Sequence, residues 1–211
     1  MKTGEINSLF KNLSKVIKNP KSDLTYKNKF TLLISVVLSA QCTDVNVNNV
    51  TKNLYKKYNK PEHFTKLGRK KIEALIKKIN FFRNKAKSVY LLSKQLIEKH
   101  NSKVPKSFEN LIDLPGVGRK TASVVLNEGF GMPTIAVDTH VFRVSNRTGL
   151  AIGKNSDVVQ ENLYKAVPKK YLKKAGHTLL LHGRYTCKAR SPSCKTCVII
   201  KYCKYKNKEF R

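Results

Sequence analysis

Apolar residues recur along this chain at helical rather than strand spacing. Val45, Val50, Leu54 and Tyr58 roughly follow one helix face. Ile72, Leu75, Ile76 and Ile79 follow another more cleanly, and Ala86, Val89, Tyr90, Leu96 and Ile97 mark a further long helix. Ser156 reads as the N-cap of a helix running through Val159, Leu163 and Ala166. Leu172, Ala175, Leu179 and His182 line one more. Residues 30–38 are ambiguous, because their β-branched side chains suit a strand as well as a buried helix. No second run of that kind offers a pairing partner, so a buried helix is expected. The pattern predicts an all-α protein with short loops, without internal repeats, whose crossover between two halves lies at residues 129–133.

Length and charge narrow the function. The 211 residues, 40% of them hydrophobic, suit one large domain or two small ones. No stretch reaches the ~18 apolar residues a membrane span needs. The longest, residues 30–40, is broken by Thr31, Ser35 and Ser39, and the first residues lack an apolar signal region. A soluble cytoplasmic protein is expected. The 43 Lys+Arg outnumber 13 Asp+Glu, a net charge of +30 that favours a polyanionic partner. Lys and Asn are also the residues an AT-rich genome inflates, and the lysines are spread along the whole chain. Charge alone therefore points only weakly to nucleic acid.

Residues 114–122, Leu-Pro-Gly-Val-Gly-Arg-Lys-Thr-Ala, carry more information. A short helix from Phe108 ends near Leu114, Pro115 stops it, and helix resumes through Ala122, Val125 and Leu126. Gly116 and Gly118 permit backbone angles closed to other residues, and Val117 can pack between the two helices. The N–H groups exposed at the start of the second helix, with its positive dipole end and Arg119, form a phosphate site. A bare Gly-x-Gly is as often an ordinary helix turn; the fuller pattern is similar to the helix-hairpin-helix DNA-binding motif. Such a contact positions the protein on the backbone without reading sequence. Lys120 lies in the first turn of the second helix, where the dipole disfavours its charged form. Burial in a cleft would disfavour that form further, and a neutral amine is a nucleophile able to form a Schiff base. From position alone, however, it is one lysine among many. Asp138, after the apolar run from Ile135 to Val137, suits a helix cap. A carboxylate anchored that way can also stabilise developing positive charge or help activate a nucleophile.

Four of the five cysteines, Cys187, Cys194, Cys197 and Cys203, form C-x6-C-x2-C-x5-C. Clustered cysteine in a cytosolic chain reads as metal binding before disulfide. Structural zinc sites usually show two close pairs; one close pair within a single loop favours a [4Fe–4S] cluster and leaves zinc open. Lys188, Arg190, Lys195, Lys201, Lys204 and Lys206 make the loop strongly basic. That suits DNA phosphate, and it also suits counter-charge to thiolates. Cys42 stands apart and reads as a packing residue.

These features together resemble the bacterial endonuclease III family of helix-hairpin-helix DNA glycosylases and abasic-site lyases. The resemblance covers residues 32–205 in four stretches: the apolar run ending in Val37-Leu38 with Ser39-Ala40-Gln41-Cys42-Thr43-Asp44, residues 114–122, residues 133–143, and Leu181-His182-Gly183-Arg184-Tyr185-Thr186-Cys187 with the three later cysteines. It implies a six-helix domain at 22–132 with the hairpin at about 108–127. A second helical domain would combine 1–21 with 133–211 and hold the cluster loop at 187–203, with a DNA cleft between the two. It assigns Lys120 and Asp138 as catalytic, the four cysteines as [4Fe–4S] ligands, and Gln41 as the residue that fills the hole left by a flipped base. Gly116, Val117, Gly118 and Arg119 would hold DNA. Phe81 would be the apolar wedge in the base stack. Two departures stand out: Gln-Cys-Thr-Asp where the family has Gln-Ala-Thr-Asp, and Asn80-Phe81-Phe82 where it often has Gly-Leu-Tyr. The implied activity is excision of oxidised pyrimidines from double-stranded DNA by Lys Schiff-base chemistry, then β-elimination 3′ to the abasic site. The protein would act as a monomer at the bacterial nucleoid, with the cluster in a structural or DNA-positioning role. The alternatives are a monofunctional mismatch glycosylase and a non-enzymatic DNA-binding module.

Overall fold

The computed structural model describes residues 1–210. Ten α-helices carry the fold, and no strand occurs among the described residues: α1 Thr3–Val16, α2 Lys29–Ser39, α3 Asp44–Lys57, α4 Pro61–Leu75, α5 Phe82–His100, α6 Phe108–Ile112, α7 Arg119–Phe130, α8 Thr139–Thr148, α9 Ser156–Ala166 and α10 Lys169–Tyr185. A 3-10 turn at Ile200–Tyr202 follows. The chain forms two units, one of Asp23–Phe130 and one of Met1–Ser22 with Gly131–Arg211. Among the described residues, no helix is long and apolar enough to cross a membrane.

The first unit is built around α2. The ambiguous apolar run is a helix, buried from Phe30 to Leu38, and α7, α3 and α5 pack around it. Its polar side chains find partners inside: Thr31 Oγ1 donates to the Asn28 carbonyl at 3.0 Å, and Ser35 Oγ shares a 2.8 Å hydrogen bond with the Tyr55 hydroxyl. Satisfying those hydroxyls removes the penalty that would otherwise offset burial of the surrounding Leu and Ile side chains, about 1.5–3 kcal/mol each. Burial pushes the Tyr55 phenol above its ordinary range.

The second unit has a core of Leu9, Phe10 and Leu13 from α1, Val141 and Val144 from α8, Leu163 from α9 and Leu179 from α10. Phe10 stacks on Tyr171 with ring centroids 5.1 Å apart. The hydrophobic pattern did not mark α1, a short amphipathic helix whose role appears only in this packing.

Three sequence expectations need correction. Helix α3 buries Val47, Thr51, Leu54 and Tyr55, whereas Val45 is 70% exposed. A face with Asn at several positions gave a weak period, and packing chose the strip 47/51/54/55. Leu75 is 40% exposed, while Ile72, Ile76 and Ile79 are buried; α4 ends at Leu75, so the last two reach the core from the turn after it. The cap of α9 is Asn155, whose side chain accepts from the Val158 N–H at 3.0 Å, and Ser156 is the first helical residue.

Candidate functional site

The hairpin joins α6 to α7. Ser107 caps α6 by accepting from the Asn110 N–H at 3.2 Å. Leu114 and Val117 are buried, and the Val117 N–H donates to the Leu114 carbonyl at 3.0 Å, which closes the turn. Gly116 has φ +80, and a β-carbon there would lie 2.6 Å from Ser88 Cβ on α5. Glycine is required twice over, by conformation and by close approach. Gly118 differs from the expectation. Its φ is not positive, and a β-carbon would meet nothing within 4 Å. Neither φ sign nor packing demands glycine there, although its carbonyl accepts from the Ala122 N–H at 2.9 Å at the mouth of α7. Arg119 lies over the Phe108 ring, 5.3 Å from its centroid. Lys120 is in the first turn of α7 and exposed, not buried.

Gln41 and Phe81 are brought together in the same unit. Both are exposed, and both take left-handed backbone conformations, φ 52 and φ 58. For non-glycine residues that costs on the order of 1–3 kcal/mol each and persists only where neighbours enforce it. Asn80 Nδ2 donates to the Gln41 carbonyl at 2.9 Å, and Asn46 Nδ2 donates to the Lys78 carbonyl at 2.9 Å. Lys85 reaches under the loop to the Leu38 carbonyl at 2.8 Å. Burial pulls its ammonium below the usual lysine range, and Cys42 nearby opposes that shift. Cys42 is half-buried and accepts from Asn46 Nδ2 at 3.2 Å. Lys85 escaped sequence reading, yet a signal existed: it falls on the same face as Val89, Leu92 and Leu96, where a lysine is out of place.

Asp138, half-buried, caps α8. One carboxylate oxygen, Oδ1, accepts from the His140 N–H at 2.9 Å and the Val141 N–H at 2.8 Å. Two bonds fix the carboxylate against the helix start, with the positive dipole end behind it. Asp138 belongs to the second unit and Lys120 to the first.

Helix α8 also carries the cysteine loop. Arg143 donates to the Gly183 carbonyl at 2.8 Å and the Cys187 carbonyl at 3.0 Å. One turn on, Arg147 donates to the carbonyls of Lys188 at 2.7 Å and Ala189 at 2.9 Å. Its guanidinium packs over Tyr205, 4.3 Å from the ring centroid. A β-carbon at Gly183 would fall 2.9 Å from His140 Cβ, so glycine lets α10 approach α8. The four thiols influence one another. Burial pushes the Cys197 and Cys203 thiols up, and the charges of Cys187 and Cys194 push both further, while N–H groups of Ile199 and Tyr205 favour the thiolates. His182, with its ring pulled down to about 4 by burial, holds a neutral imidazole 3.7 Å from Cys197 Sγ. Among the described residues, no three His, Cys, Asp or Glu are placed to hold one metal ion. Arg147 was not marked by sequence reading, and Arg143 only as the end of a motif.

Comparison with known proteins fixes the class first. The profile of the HhH-GPD superfamily base excision DNA repair protein matches residues 34–169. Endonuclease III of Rickettsia conorii is 52% identical over 200 residues, 95% of each chain, and that of Escherichia coli K12 is 49% identical over 190 residues, 90% of each. A trapped endonuclease III–DNA covalent intermediate, an estranged-adenine complex, superposes with a TM-score of 0.90 at 41% identity over 96% of both chains. A thermostable thymine-DNA glycosylase shares the fold, with a TM-score of 0.86 at 23% identity over 96% of both chains. The chain belongs to the endonuclease III family within the HhH-GPD superfamily.

Proposed function

We propose that this protein is a bifunctional DNA glycosylase and abasic-site lyase of base excision repair, acting on oxidised pyrimidines in double-stranded DNA. The observation that carries the reading is Lys120: an exposed amine in the first turn of α7, directly behind a hairpin whose Gly118 meets no internal crowding. An open glycine and the N–H groups and positive dipole end of a helix start suit the approach of a DNA phosphate. They would set Lys120 beside the backbone.

The damaged base is extruded first, since its bonds are out of reach in the stack. Phe81 enters the stack and Gln41 takes the vacated place. The Lys120 nitrogen attacks the sugar C1′ through its lone pair, and the bond to the base breaks with its electron pair leaving on the base, which takes up a proton. Asp138 opposes the positive charge that builds on the sugar. The C1′–nitrogen adduct becomes a Schiff base as the C1′–O4′ bond breaks and the sugar ring opens, O4′ taking up a proton, and the Schiff base acidifies the C2′ proton. Loss of that proton expels the 3′ phosphate and cuts the strand.

Cys187, Cys194, Cys197 and Cys203 would hold a [4Fe–4S] cluster. Their thiols share one electrostatic environment, two accept backbone N–H bonds, and Arg147 lies 3.6 Å from Cys187 Sγ. Donors of that kind offset the charge of four thiolates. Structural zinc sites draw on two close cysteine pairs, whereas this loop has one, Cys194 with Cys197. When bound, the cluster supplies a rigid staple for the basic loop and takes no part in bond cleavage.

Borohydride trapping on an abasic-site duplex tests the lyase reading. A covalent adduct is expected with the unaltered protein and none with Lys120→Ala. No adduct from the unaltered protein would indicate a monofunctional glycosylase or a non-enzymatic module, and an undiminished adduct from Lys120→Ala would move the nucleophile elsewhere.

A further inference from the structure

Two side chains that touch none of the reacting atoms join Gln41 to Phe81. Lys85 is 8% exposed. Its Nζ donates to the Leu38 carbonyl at 2.8 Å and the Ala40 carbonyl at 2.5 Å. These carbonyls close α2, where a helix leaves its last acceptors without intrahelical partners and the dipole favours a cation. The backbone N–H of Lys85 meanwhile donates to the Phe81 carbonyl at 3.1 Å. One residue thus grips the chain just before Gln41 with its side chain and Phe81 with its backbone. Asn80 closes the ring from the other side through its 2.9 Å bond to the Gln41 carbonyl.

A lysine sequestered in this way is not explained by charge. The chain has 43 Lys+Arg, yet Lys85 is the only one among the described residues that is buried. Gln41 and Phe81 both hold left-handed backbones, which the coil would otherwise leave. The ties converge on those two residues and on the C-terminal end of α2, at Leu38 and Ala40.

We propose that Lys85 and Asn80 are positioning residues that fix Gln41 and Phe81 as one preformed two-pronged wedge. The inference rests on the roles given to Gln41 and Phe81 under the proposed function. A preformed wedge avoids ordering two separate loops at the moment the stack opens. Its effect is confined to a base that must be unstacked, and it does not touch the chemistry at C1′.

The test compares excision of an oxidised pyrimidine in a matched duplex with excision of the same lesion inside a bubble of unpaired bases. Thermal unfolding of each variant is measured alongside. Asn80→Ala, a surface change, is expected to slow duplex excision about threefold to tenfold and Lys85→Met about a hundredfold. Both should leave the bubble rate within about twofold, the marginal effect of an uncoupled site. Equal loss on both substrates, or no duplex loss with Asn80→Ala, overturns the proposal. If Lys85→Met does not fold, Asn80→Ala decides alone. Gln41→Ala and Phe81→Ala separate the two levels. If neither shows a duplex-selective loss, the roles of Gln41 and Phe81 fail; if both do and Asn80→Ala does not, only the positioning inference fails.

Discussion

Arg147 Nη1 lies 3.6 Å from the sulfur of Cys187, forty residues away in sequence. The same guanidinium donates to the Lys188 and Ala189 carbonyls. Helix α8, capped at its start by Asp138, therefore clasps the cysteine loop from its last turns. A displacement of that loop would be felt at the helix that aims the carboxylate.

Replacing Arg147 with Met should loosen the clasp while preserving the stem of the side chain. Loss of the charge-assisted bonds is expected to cost about 2 kcal/mol, or a thermal midpoint lowered by about 5 °C. If the four cysteines hold the proposed [4Fe–4S] cluster, its visible absorption should fade faster under chelator in the variant than in the unaltered chain. Equal fading rates would show that Arg147 does not guard the thiols.

Asp138 offers a way to separate cap from chemistry. Asn keeps an oxygen able to accept from the His140 and Val141 N–H groups, whereas Ala removes the cap and costs about 1 kcal/mol. Asp138→Asn should unfold at nearly the unaltered temperature and lose about a hundredfold or more in single-turnover excision. If Asn retains full activity, the charge is not used and Asp138 is only a cap.

The two hairpin glycines should respond in opposite ways. Gly116→Ala meets both a positive φ and Ser88, and is expected to destabilise by about 2 kcal/mol. Gly118→Ala meets nothing inside the protein, so stability should change by about 0.5 kcal/mol or less. Its cost should appear as weaker binding to duplex DNA. Denaturant titration and filter binding on both variants check the contrast, and unchanged affinity in Gly118→Ala would remove the phosphate from that place.

Phosphate-led docking makes affinity fall with salt. If about six phosphates are neutralised, binding should weaken roughly a thousandfold between about 50 and 200 mM salt. A log–log slope near zero would show that the +30 charge does not contact the backbone.

The sequence by itself determined what depends on neighbours a few residues apart. The Gly116 turn, the cap at Asp138 with bonds two and three residues on, and the cysteine spacing all belong to that class. In the sequence, the helix at residues 30–38 is favoured over a strand only because no second run of that kind offers a pairing partner. Only the tertiary structure decided the rest. It chose Val47 over Val45 for the inner face of α3, because a weak period is settled by what packs against it. It showed that internal packing does not require glycine at position 118. It gave α1 a place in the second core, and it made supports of Asn80, Lys85 and Arg147, whose partners lie about forty residues away. A hydrogen bond across such a separation leaves no periodic trace. Its one mark is a residue, such as Lys85, on a face where its polarity does not belong.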